Sequence, residues 1–215
     1  MSHEAGQRIC RMFQRISAGI DKEKDRLSDL DGAIGDADHG ITMSLGFAAV
    51  AARLAEADPE AAVPSELFRM AAGAFLDAAG ASTGPLYASA FRRAAQAMKA
   101  HEDLTLAAQA EIVVAMTAGI RERGKGQRGD KTMLDAWIPA AEAAVDARER
   151  GSDADTMWAR IVEAAEAGAK STRSMVAARG RAARLGERSL GHIDPGAAST
   201  VIILRAMRET LPGDE

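Results

Sequence analysis

The sequence predicts an all-α protein, an eight-helix antiparallel up-and-down bundle or barrel, and three observations carry that expectation. Of 215 residues, 48 are Ala, the best helix former, whereas Ile and Val together number 20 and aromatics 8, too few to favour pleated sheet. Apolar residues recur at helical spacing almost throughout. The breaks between periodic stretches are short, and short connections favour antiparallel neighbours.

The first helix is expected over residues 4–26, where Ile9, Met12, Phe13, Ile16 and Ile20 fall on one face. The single cysteine, Cys10, stands among them and reads as a structural thiol; alone it closes no intramolecular disulfide. Further helices are expected over 39–57, 65–80, 84–100, 104–123, 132–149, 153–178 and 196–211, bounded by Gly-, Pro- or Asp-rich breaks such as ADPEAAVP at 57–64. Within the last, Thr200 to Leu204 alone could pass for a buried strand, but the Ala-rich surroundings favour a buried helix. No repeat, low-complexity tract or composition shift divides the chain, so residues 1–215 are read as one domain.

Charge and hydropathy narrow the function classes. Acidic residues number 31 against 27 basic, a formal charge of -4, which disfavours a nucleic-acid binder held by phosphate electrostatics. No uninterrupted 18-residue apolar run exists to span a bilayer. The opening MSHEAGQRICRMF lacks the charged-then-apolar layout of a signal peptide, and a cytoplasmic location is expected.

Four stretches are too polar and Gly-rich for helix interiors: LDGAIGDADHG at 30–40, GASTGP at 80–85, RGKGQRGDKTM at 123–133 and RGRAARLGERSLGHIDPG at 179–196. In the first, a curled loop could turn Asp31, Asp36 and Asp38 inward. Three converging carboxylates repel one another unless a cation sits between them, and hard oxygen ligands suit Mg²⁺ or Ca²⁺. The other reading is a solvated turn in which Asp38 caps the following helix. An EF-hand is excluded, because the frame from Asp36 puts Gly40 at a ligand position and Phe47 where a bidentate Glu belongs.

The third stretch spells GxGxxG at Gly124, Gly126 and Gly129, but the preceding residues are helical in period, and a dinucleotide fingerprint needs a strand there. A Walker A reading fails because Asp130 separates Gly129 from Lys131. GASTGP is either an interhelical turn, with Pro85 in the next first turn, or a phosphate nest at a helix N-terminus. Lys170, Arg173, Arg179, Arg181, Arg184 and Arg188 face Glu187 alone; they are solvated or, if turned to the acidic loop, complete an anion site. Asp194, before Pro195, is an N-cap candidate that can also touch a ligand. Together these stretches describe a metal-phosphate or metal-nucleotide site.

LDGAIGDADHG, GDKTMLDAW and GRAARLGERSLGHIDPGA closely resemble the L subunit of dihydroxyacetone kinases and the C-terminal nucleotide domain of their single-chain versions. The similarity runs from about residue 8 to 210 in the same order. It implies an eight-helix barrel holding ADP or ATP with two Mg²⁺ ions at one end. Asp31, Asp36 and Asp38 match the family's metal ligands. His39, Gly40, Ile41 and Thr42 match its phosphate-contacting turn, with Thr42 where Asn is frequent. Ser82 and Thr83 match a phosphate-binding turn, Gly124 and Met133 the adenine pocket, and Arg181 a phosphate-contacting Arg. Asp194, Pro195 and Gly196 match the segment closing over the nucleotide.

The activity so implied is phosphoryl transfer to dihydroxyacetone held on a separate K-type subunit, without which this chain is expected to be inactive. Bound ADP would serve as a coenzyme recharged by a phosphohistidine-bearing phosphotransferase (M-type) subunit. The alternatives are an ATP-using L-type subunit for another short ketose such as erythrulose, and a nucleotide-sensing regulatory protein.

Overall fold

Helices α1 (Ser2–Lys22), α2 (Lys24–Gly32), α3 (His39–Ala55), α4 (Pro64–Ala78), α5 (Thr83–Ala97), α6 (Leu106–Gly124), α7 (Leu134–Glu149), α8 (Ala154–Ser171) and α9 (Pro195–Thr210) make up the computed structural model, with short 3-10 turns at 98–100, 172–174 and 182–189. The structure describes residues 2–58, 63–80, 82–101 and 103–212; part of the 57–64 break and Ala81 of GASTGP lie outside them. No strand occurs among the described residues, and Thr200 to Leu204 is helix.

Each helix packs on its chain neighbour, α1 on α3 and so on to α8 on α9, and α9 returns to α1, which closes a ring of eight. Neighbours run antiparallel. Gly19 meets Ile202 while Arg15 pairs with Glu209 across α1 and α9, and Leu86 and Ser89 meet Gly124 and Gly119 across α5 and α6. The predicted α1 stripe fills the middle: Ile9, Met12, Phe13, Ile16 and Ile20 are all at most 1% exposed. Around it Phe13, Phe47, Phe68, Phe75, Tyr87 and Phe91 contact edge-on or tilted, geometries that aromatic rings favour. Cys10 is half-buried against this core and burial pushes its thiol up, as a structural cysteine requires.

Two expectations are corrected. The single helix expected over 4–26 breaks at Glu23, and α2 continues to Gly32, so Asp31 sits in a last helical turn rather than in a loop. Only Leu27 of α2 is buried, so α2 lies beside the ring as an appendage to α1, α3 and α9. The helix expected over 153–178 ends at Ser171, where the Thr172 hydroxyl donates to the Ala169 carbonyl. No helix among the described residues is long and apolar enough to cross a membrane.

Candidate functional site

A cavity of about 450 Å³ opens at one end of the ring. The first residues of α3, α5, α7 and α9 line it, as does the end of α6, which arrives from the opposite direction. Four helix N-termini therefore aim their positive dipole ends at one space, an arrangement suited to anions.

Asp31, Asp36 and Asp38 meet at its rim, with one carboxylate oxygen from each within 4.8 Å of the others. The local chain explains the convergence. Asp31 Oδ2 accepts the amides of Asp38 at 3.0 Å and His39 at 3.3 Å, so Asp31 caps α3 across the intervening turn. Asp38 occupies the N-cap position of α3, but its side chain makes no capping bond, which corrects the reading that its carboxylate caps that helix and leaves it to the cluster. Ala37 turns the chain through a left-handed conformation. Gly35 is required, since a Cβ there would lie 2.3 Å from Asp31 Oδ1.

Arg181 reaches the cluster from the return segment, pairing closely with Asp36 and at 3.6 Å with Asp38. Arg179 also lines the cavity and donates to Asp130 Oδ2 at 2.6 Å. Of the other basic residues in that run, Arg173 bonds the Gly191 carbonyl, and Lys170, Arg184 and Arg188 are exposed outside the cavity. Most of the run is thus solvated, and two of its arginines face the acidic loop.

The remaining wall is formed by helix starts. Ser82 makes no capping bond to α5, and Thr83 is buried beside it. Asp194 caps α9 through the Ala197 amide at 2.7 Å, with Pro195 in the first turn. Burial pushes the Asp194 carboxyl up to about 7; Asp135 and Asp31 add repulsion, while the Ala197 amide and Lys131 oppose it. His39 Nε2 lies 3.0 Å from Ser199 Oγ. Burial pulls His39 down to about 4, against the attraction of Asp31. On the far side Met133, Leu134, Leu86 and Ile120 form an apolar slot beside Gly124.

Of the site residues named from the sequence, Asp31, Asp36, Asp38, His39, Ser82, Thr83, Gly124, Met133, Arg181, Asp194, Pro195 and Gly196 all line this cavity. Gly40, Ile41 and Thr42 do not. Gly40 packs on α2, where a Cβ would lie 1.9 Å from the Lys24 carbonyl oxygen, Ile41 is 53% exposed, and the Thr42 amide is taken by the Asp38 carbonyl. Missed were Leu86 and Ile120, which look like any core position in sequence, and Arg123 and Lys131. The GDKT run carried the signal for Lys131, a basic residue inside a Gly-rich loop.

Residues 33–209 match the DAK2 domain family. The chain is 35% identical over 200 residues to the ADP-binding subunit DhaL of PEP-dependent dihydroxyacetone kinase 2 from Listeria innocua, covering 93% of this chain and 92% of the relative. It is 38% identical over 186 residues to the corresponding Escherichia coli subunit, covering 86% and 87%. The crystal structure of the C. freundii dihydroxyacetone kinase shares the fold, with a TM-score of 0.73 at 23% identity over 94% of this chain and 34% of that one. With its motifs, its closed ring and most of its length so matched, the chain belongs to the DAK2 domain family, among the dihydroxyacetone kinase L subunits.

Proposed function

We propose that this chain is the nucleotide-binding subunit of a dihydroxyacetone kinase, passing phosphate from a bound nucleotide to dihydroxyacetone held on a separate K-type subunit. One observation carries the reading: three carboxylates, an arginine and four helix N-termini converge on one cavity that also has an apolar slot. Opposed charges so arranged fit a metal-bound polyphosphate, and the slot fits a purine ring.

Asp31, Asp36 and Asp38 would hold two Mg²⁺ ions, hard cations matched to an all-oxygen donor set. His39, Ser82, Thr83 and Arg181 would face the phosphates at the starts of α3 and α5. Leu86, Ile120 and Met133 would flank the adenine next to Gly124, and Asp194 to Gly196 would close the site. The bound metal supplies charge neutralisation on the phosphate oxygens and alignment of donor with acceptor. This chain's own share is positioning: it fixes the phosphates against amides and Arg181 and narrows access for water. The listerial and E. coli relatives are named as ADP-binding subunits of PEP-dependent kinases. ADP is accordingly the resident coenzyme, recharged by a phosphohistidine-bearing partner.

Purified protein should retain ADP in the presence of Mg²⁺, and Asp36→Ala should abolish that retention; unchanged retention in the variant would refute the metal assignment. Combining the protein with its K-type partner, and offering ATP or a phosphohistidine donor with dihydroxyacetone or erythrulose, separates this function from the alternatives. Transfer from ATP alone, or to erythrulose alone, would overturn it.

A further inference from the structure

Lys131 is 1% exposed, the most deeply buried basic side chain among the described residues. Its Nζ donates to the Thr172 carbonyl at 2.6 Å and to the His192 carbonyl at 2.5 Å. These two acceptors stand at the two feet of one long excursion. Thr172 ends α8 and His192 lies just before the cap of α9. The same neck is laced by Gly191 N to Arg173 O at 2.8 Å, Arg173 Nε to Gly191 O at 2.9 Å, and Asp194 N to Thr172 Oγ1 at 2.9 Å. Residues 173–191 thus form a long loop whose two ends are tied together. Its tip rests on Asp130, which accepts from Ala178 N and Arg179 Nε, and carries Arg181 to Asp36 and Asp38.

The backbone of Lys131 is itself informative. Its φ is +58°, left-handed, where Gly or Asn would be at ease. A side chain kept there against that preference needs a task, and the two carbonyls supply it.

We propose that Lys131 is a positioning residue: its ammonium ties the feet of the 173–191 loop and thereby holds Arg181 against the phosphates. The inference rests on the nucleotide reading above. The competing role is burial of the lysine stem alone, and Lys131→Met separates the two, because it keeps the stem and removes the donors.

In the variant, amide exchange across residues 174–190 should quicken at least about tenfold, while exchange in α4, α5 and α6 stays as in the parent protein. With Mg²⁺ present, Arg181→Ala should reduce the preference for ADP over AMP, and Lys131→Met should reduce it similarly. The double variant should be no worse than either single one. Additive losses, a retained ADP preference in Lys131→Met, or unchanged exchange in the loop would each overturn the proposal. Should Lys131→Met not fold, Lys131→Gln keeps an uncharged amide donor group on a shorter stem and should give intermediate exchange and an intermediate ADP preference; parent-like values for both would sink the idea. Absence of any ADP preference in the parent protein would instead count against the nucleotide reading, and loop exchange alone would then decide whether the tie exists.

Discussion

Single side chains in this cavity hold two partners at once. Asp31 spends Oδ2 on the amides of Asp38 and His39, which leaves Oδ1, pressed against Gly35, for the cluster. One carboxylate thereby fixes both the start of α3 and the convergence of three acids. His39 is bound likewise: Ser199 Oγ donates to the Gly196 carbonyl, so the imidazole must donate through Nε2. Its burial sets a pH dependence. An unfolded chain takes up this proton near pH 6.5, whereas the folded protein resists until about pH 4. The His39 share of the metal-free protein's stability should therefore be lost as pH drops from 6.5 to 4, by on the order of 3 kcal/mol at most, while Asp194, raised to about 7, contributes with the opposite sign over the same range. Urea titrations of the parent protein and His39→Gln across that range should diverge by this share; parallel pH dependences would refute it.

Between elements, the contact of α3 with α2 decides whether the acidic turn keeps its shape. A methyl group at residue 40 would collide with the Lys24 backbone, so Gly40→Ala must push the start of α3 away from α2. The loss should be roughly 1–3 kcal/mol in thermal or urea unfolding, as for other overpacked sites, with Mg²⁺-dependent ADP binding weakened in parallel. Sequence reading reached much of this level. The α1 stripe, the cap at Asp194 and the α9 start follow from spacing and capping chemistry. The break at Glu23 was invisible because no Gly, Pro or side-chain cap marks it. The end of α8 was hidden for another reason: Lys131, 41 residues distant in sequence, supplies the donor at the Thr172 carbonyl. Motif residues of the site were legible because Asp, Arg and Gly cluster in short stretches that lack helical apolar periodicity, whereas Leu86 and Ile120 differ from core residues only by facing a cavity.

At the scale of the whole molecule, the closed ring turns four helix starts into one electrostatic surface. Saturating MgADP at about 100 times its Kd should add roughly 2.7 kcal/mol of stability and raise the melting temperature by several degrees. A further consequence follows from parity. Because eight helices alternate around the ring, the start of α1 and the end of α9 emerge side by side at the end remote from the cavity, as do the end of α3 and the start of α4. A circular permutant with α9 joined to α1 by a short linker and new termini between Glu56 and Val63 should bind MgADP within about twofold of the parent. By the same geometry, cargo fused to either terminus would hang below the barrel floor, so tethering leaves the mouth open to whatever docks there.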